Sequence, residues 1–254
     1  MKRCIRIFTT LLLALPWIML SATTRADEVS VAVAANFTAP MQEIARAFEQ
    51  SSGHHVQLSF GSTGTLYAQI SNGAPFEVFL AADAKTPAKL VSDKLALPGS
   101  KFTYATGKLV LWSSNSDKVD NQGKVLLNNA NRLAIANPKT APYGAAAVQV
   151  LKKMGLYENL KDKLVQGNNI AQTFQFVNSG NVDLGFIALS QVYRDGKITS
   201  GSAWLIPQPD YSIIQQDAVL LNKGEHNAAA KALLTFIKSH EAKAIIQRYG
   251  YQVL

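Results

Sequence analysis

"EVSVAVAANFTAPMQEIARAFEQSSGHHVQLSFGSTGTLYAQISNG", Glu28 to Gly73, changes its hydrophobic period repeatedly. Glu28–Ala35 is apolar and β-branched, as in a strand covered on both faces. Met41, Ile44, Ala45 and Phe48 then recur at helical spacing. Pro40 suits the first turn of that helix and Gly53 its end. His54–Phe60 alternates as a second strand, and Leu66–Gly73 reads as a short helix closed by glycine. "FEVFLAAD" (Phe76–Asp83) supplies a third strand. Strand, helix, strand, helix, strand is the grammar of a parallel sheet with covering helices, so the expected class is α/β.

The pattern then repeats. Lys108–Ser114, Arg132–Pro138, Leu164–Asn169 and Val182–Ser190 read as strands. Tyr143–Leu156 and Ile170–Gly180 read as helices stopped by Gly155 and Gly180. Gln215–Asn222 is a further strand, and Asn227–Tyr251 is amphipathic and helical with a break near Ser239 and His240. Two α/β halves of about a hundred residues each fit the usual size of a domain. The closing helices are too small to stand alone and are expected to pack on the first half. The chain would then cross between two lobes near Tyr104 and near Asp217, forming a two-stranded hinge. That places 27–105 and 217–254 in the first lobe and 106–216 in the second.

Lys2, Arg3 and Arg6 precede an apolar run, Ile7–Leu20, broken by Pro16, and "TRA" (Thr24–Ala26) follows. This order is that of a secretory signal peptide cleaved after Ala26. The run is short for a membrane span, which needs about 20 apolar residues. The single cysteine, Cys4, lies before the run, so the mature chain carries no thiol. Four of the 25 basic residues and none of the 17 acidic ones precede Asp27, leaving 21 against 17, a net charge of +4. With no basic run interleaved with aromatics, nucleic acid is not an expected partner.

In open α/β sheets ligands sit beyond the carboxyl ends of strands. Those ends deliver Ala34 to Phe37, Gly61 to Thr65, Asn137 with Pro142 to Gly144, Asn168 to Ile170, and Ala188 with Leu189. None carries histidine clustered with carboxylates, so a site for a bare metal cation is not expected. They carry amides, hydroxyls and glycines, next to helix starts whose free N–H groups form the positive end of the dipole. Such a cup suits an anion that only accepts hydrogen bonds. A protonated anion such as phosphate brings an O–H that needs an acceptor; molybdate, tungstate and sulfate do not. Each residue also has a plainer role. Asn36, Ser62, Thr63 and Thr65 suit helix caps, Tyr143 suits ordinary packing, and Ile170 offers only its backbone N–H. His54 and His55 read as solvated, Glu77 and Asp83 as structural, and Trp112 and Trp204 as core or interface.

No G-x-S-x-G elbow, P-loop or G-x-G-x-x-G stands in the chain. A secreted hydrolase using Ser62 or Thr63 as nucleophile remains the reading from another class, and a sulfate- or phosphate-binding transport protein the alternative within the same class.

"VAVAANFTAPMQEIARAFE", "SFGSTGTLYAQISNGAPFEVFLAAD", "NPKTAPYGAAAVQVL" and "IIQRYGY" resemble the periplasmic molybdate-binding components of bacterial molybdate ABC transporters, over essentially all of the mature chain. The resemblance implies the two-lobed periplasmic-binding-protein fold, with a two-stranded hinge and the oxyanion enclosed between the lobes. It implies a non-enzymatic role, with molybdate and tungstate as ligands, no cofactor, an inner-membrane permease as partner, and a monomer in the periplasm. By motif, Asn36 takes the first-loop side-chain place, and Thr63, with Ser62 beside it, the hydroxyl place of the second loop. Tyr143 takes the Pro-Tyr-Gly place and Ile170 a backbone N–H place. Some relatives draw a tyrosine from the strand that here carries Ala188, and Tyr143 substitutes for it.

Overall fold

A computed structural model describes residues 27–127 and 131–253. The expected signal peptide lies outside the described residues. The first half runs β1 (Glu28–Ala34), α1 (Thr38–Ser52), β2 (His55–Gly61), α2 (Thr63–Ser71), β3 (Val78–Leu80), α3 (Lys85–Ser92) and β4 (Phe102–Gly107). The second begins with β5 (Leu109–Ser113), β6 (Leu133–Ala136), α4 (Pro142–Lys153), α5 (Tyr157–Leu160), β7 (Leu164–Gly167), α6 (Ile170–Asn178) and β8 (Leu184–Ala188). It continues through a hairpin, β9 (Tyr193–Arg194) and β10 (Lys197–Ile198), to β11 (Ser202–Leu205). Then β12 (Ile214–Leu220), α7 (Ala228–Ile237) and α8 (His240–Arg248) close the chain.

One sheet has the order β2-β1-β3-β12-β4, the other β11-β5-β8-β6-β7. β1 runs parallel to β2 and β3, while β12 runs antiparallel to β3 and β4. β6 runs parallel to β7 and β8, while β5 is antiparallel to β8 and β11. Each sheet is mixed and flanked by helices, and the fold is two-lobed. The near-continuous apolar run of β1 is explained by its place: Val29, Val31, Ala32 and Val33 are fully buried, with strands on both sides and helices on both faces.

The closing helices pack on the first sheet, as their size required. Leu233, Ile237, Ile245 and Ile246 share a core with Val31, Ile44 and Phe48. Ser239 breaks the pair by accepting the Ala242 N–H at 3.2 Å. A different core lies under the second sheet and takes in Leu109, Ile135, Val150 and Phe186. Ala34, Ala35 and Ala82 of the first lobe pack against that second core, so the seam between lobes is lined with small residues.

Some local readings need correction and others hold. β4 and β11 escape the periodicity: β4 mixes threonine, tyrosine and glycine because it serves the hinge. His54 is half-buried, its Nδ1 accepting the Asp27 N–H at 3.2 Å while its ring stacks on Phe48. Glu77 and Asp83 are structural, Glu77 accepting from Ser30 N–H and Asn227 Nδ2, and Asp83 from Thr86. Trp112 is core, donating to the Ser200 carbonyl, and Trp204 packs over Gly123. Gly123 adopts φ 68°, and any side chain there would run into that indole. Among the described residues no helix is long and apolar enough to cross a membrane.

Candidate functional site

Chain geometry brings four helix starts to the seam, two from each lobe. On the first lobe, β1 passes through a 3-10 turn, Ala35–Phe37, into α1, and β2 leads through Ser62 into α2. On the second, β6 leads to α4 and β7 to α6. Asn36, Ser62, Thr63, Tyr143 and Ile170 line one small cavity, together with Ala34, Ala35, Gly61, Ala82, Ala141 and Pro142. Of the other strand tips, Asn137, Asn168, Asn169, Ala188 and Leu189 do not line it. Asn169 instead caps α6, accepting the Gln172 N–H at 3.0 Å.

Ser62 is the N-cap of α2, its Oγ accepting the Thr65 N–H at 3.4 Å and meeting Thr65 Oγ1 at 2.7 Å. Thr63 Oγ1 accepts the Ala82 N–H at 3.0 Å, which leaves its own proton for the cavity. Capping and ligand contact are therefore compatible here, because a hydroxyl accepts and donates at once. Pro142 opens α4 where a missing N–H costs nothing. Gly144 follows because a Cβ there would meet the Ala136 carbonyl oxygen at 2.1 Å. The N–H groups of Asn36, Thr63, Tyr143 and Ile170 lie in first turns, where helix geometry offers no acceptor.

Asn36 departs from the sequence reading. It sits inside the 3-10 turn, and the N-cap of α1 is Phe37, without a side-chain bond. Its carboxamide turns to the hinge, Nδ2 donating to Gln216 Oε1 at 2.8 Å and to Tyr251 Oη at 2.9 Å. With the carboxamide so engaged, the backbone N–H of Asn36 is the donor left without an acceptor inside its turn. Behind the site a buried network joins Asn36, Tyr104, Tyr143, Ser190, Gln216 and Tyr251. Sequence reasoning missed Gln216. The signal was present: Gln215, Gln216 and Asp217 are three consecutive polar residues in a strand that is otherwise apolar. Gln216 and Asp217 are fully buried at a register shift between them. Asp217 accepts from Lys101 Nζ and Thr103 Oγ1.

The lining holds no Lys, Arg, His, Asp or Glu. Burial pushes the Tyr143 and Tyr104 hydroxyls well above their ordinary range and Tyr251 up to about 12. They are neutral donors at physiological pH. Each helix start carries about half a positive charge. Four of them offer on the order of two charge equivalents, spread over N–H groups that need no reorganisation. A hydroxyl nucleophile at Ser62 or Thr63 would need a base, and the lining offers none. Among the described residues no group of His, Cys, Asp and Glu is placed to hold a metal ion.

A wider groove of about 290 Å³ opens beside the cavity, sharing Ala82, Ala141 and Pro142 with it and carrying Lys85, Lys139 and Asp83. Across the seam Gly64 N–H donates to the Thr140 carbonyl at 2.8 Å.

Two lobes closing neutral donors over a small buried cavity define a solute-binding protein for a small anion. Residues 29–252 match the family described as bacterial extracellular solute-binding protein, and the chain belongs to that family. It is 59% identical over 234 residues to the molybdate-binding protein ModA of Azotobacter vinelandii, covering 92% of this chain and 93% of that one. It is 53% identical over 232 residues to ModA of Rhodobacter capsulatus, covering 91% of each. The solved structure of an Azotobacter vinelandii periplasmic molybdate-binding protein superposes with a TM-score of 0.86 at 44% identity. That match covers 89% of this chain and 99% of the other. These relatives are named as binding proteins, not enzymes.

Proposed function

We propose that this chain captures molybdate, and tungstate with it, between its lobes in the periplasm and hands it to an ABC-type permease in the inner membrane. It acts as a monomer after removal of residues 1–26 and uses no cofactor. The hydroxyls of Ser62, Thr63 and Tyr143 and the backbone N–H groups of Asn36 and Ile170 replace the anion's hydration shell. The lobes comprise 27–105 with 217–254, and 106–216, the strand ends at 106–107 and 214–216 forming the hinge.

One observation carries this reading: a buried cavity lined by donors from both lobes and by no ionised side chain. Burying a dianion without partners costs many kcal/mol, so only an anion that saturates the donors belongs there. An anion that keeps a proton leaves that O–H facing other donors, which disfavours phosphate near neutral pH. Sulfate matches in charge, but a cup sized for longer metal–oxygen bonds leaves sulfate short of some donors. The test is calorimetric titration of the mature chain with molybdate, tungstate, sulfate and phosphate at one ionic strength. Tight binding of the first two and weak binding of the others is expected. Preference for sulfate or phosphate would overturn the assignment.

A further inference from the structure

We infer that Gln216 is a positioning residue for the anion site, fixing the direction in which the Tyr143 hydroxyl donates; the inference rests on the functional reading above. Gln216 lies on β12 at the hinge and is fully buried. Its carboxamide has one accepting end and one donating end, and the surroundings distinguish them. Oε1 accepts from Asn36 Nδ2 at 2.8 Å and lies 3.0 Å from Tyr104 Oη, whose one proton it shares with the Ala81 carbonyl at 3.0 Å. Nε2 is thereby turned towards Tyr143 and donates to its Oη at 3.2 Å. An Oη that accepts from Nε2 must send its own proton elsewhere, and the directions open to it are the Tyr251 hydroxyl beside it and the cavity that Tyr143 lines. Gln216 thus keeps that proton off the hinge amide, so that an anion in the cavity competes for it only with the Tyr251 hydroxyl.

The neighbouring backbone is shaped for this contact. A Cβ on Gly107 would stand 2.0 Å from Tyr143 Oη and 2.6 Å from Gln216 Nε2, so only glycine in β4 lets the two side chains meet. The contact also ties the hinge to the second lobe, since Gln216 lies at the hinge on β12 of the first sheet and Tyr143 on α4 of the second lobe. Asn36, from the first loop of the site, is tied to the same carboxamide. A single buried amide therefore reads both the hinge and two ligand-site residues. Preorganised donors of this kind hold an anion without the cost of turning them at the moment of binding.

The test is a double-mutant cycle on the mature chain, with molybdate affinity measured by calorimetry and the melting temperature of the ligand-free protein measured alongside. Gln216→Leu and Tyr143→Phe are each expected to weaken binding roughly 10- to 100-fold. If Gln216 acts through Tyr143, the double variant binds within about threefold of the weaker single variant, because the second change removes nothing further. Gln216→Glu is expected to lose more than Gln216→Leu. A carboxylate would accept the Tyr143 proton and set a negative charge behind the cup. A merely structural role predicts something else: melting temperatures fall, affinities change little, and the two losses multiply in the double variant. That result, or Gln216→Glu binding as the parent does, overturns the inference. Failure of the parent protein to bind molybdate would instead strike the functional reading, and the two failures are separately visible.

Discussion

Replacing Gly64 by alanine adds one methyl group at the seam between the lobes. A Cβ on Gly64 would stand 3.0 Å from Thr140 Cα, 3.2 Å from its Cβ and 3.2 Å from its carbonyl oxygen. The same residue's N–H donates to that carbonyl at 2.8 Å, and the added methyl pushes this bond apart. Overpacking of this kind costs about 1–3 kcal/mol, and a lost hydrogen bond about 0.5–1.5 kcal/mol. Both costs fall on the closed state, where Gly64 and Thr140 touch. In the open state alanine is favoured, since Gly64 lies within α2 and outside the left-handed region. Gly→Ala at a compatible position stabilises by about 0.4–1 kcal/mol through the unfolded chain. The two effects have opposite signs. Molybdate affinity should fall roughly 10- to 1,000-fold, at 1.4 kcal/mol per decade, while the ligand-free protein melts at the same temperature or higher. Calorimetric titration and thermal unfolding without ligand read the two quantities. Unchanged affinity refutes the closure argument. So does a fall in ligand-free stability large enough to account for the affinity loss.

Tyr143→Phe and Asn36→Ala should each weaken molybdate binding with the fold retained. The first removes a hydrogen bond to a charged ligand, about 1.5–3 kcal/mol; the second frees the Gln216 carboxamide. Titration and circular dichroism check both. The buried tyrosines should make stability fall as the pH rises from about 10 towards 12. The unfolded tyrosines ionise near 10, while burial holds Tyr104 and Tyr143 well above that and Tyr251 at about 12. Above pH 10 the unfolded chain sheds protons that the folded chain keeps, so folding loses ground; melting curves against pH test this. Lys85→Gln with Lys139→Gln should slow molybdate association several-fold at low salt and flatten its salt dependence. These lysines line the groove beside the cavity, not the cavity itself. Stopped-flow tryptophan fluorescence at two ionic strengths measures it.

The elements that the sequence made legible are those whose residues answer to a single demand. β1 is apolar because it is covered on both faces, α1 carries one buried stripe, and Gly53 ends it at φ 73°. The grouping of Asn36, Ser62, Thr63, Tyr143 and Ile170 around one cavity was legible because small donors and helix starts recur at the strand tips of an α/β sheet. What escaped served two demands at once. β4 carries Tyr104 and Gly107 for the hinge network, so no hydrophobic alternation marks it. Asn36 reads as a cap because its type suits one. Only the approach of Gln216 and Tyr251, 180 and 215 residues away in the chain, turns its amide to the hinge. Such contacts have no local signature, and Gln216 could be suspected only as the middle of the polar run Gln215–Asp217 in a strand whose other residues are apolar.

A crystal of the mature protein grown with molybdate, with the anion located by molybdenum anomalous scattering, tests the central claim most directly. The anion should lie between the lobes, within hydrogen-bond distance of the Ser62, Thr63 and Tyr143 hydroxyls and the Asn36 and Ile170 backbone N–H groups, with no charged side chain touching it. A molybdate bound at another place, or held there by lysine or arginine, would contradict the account.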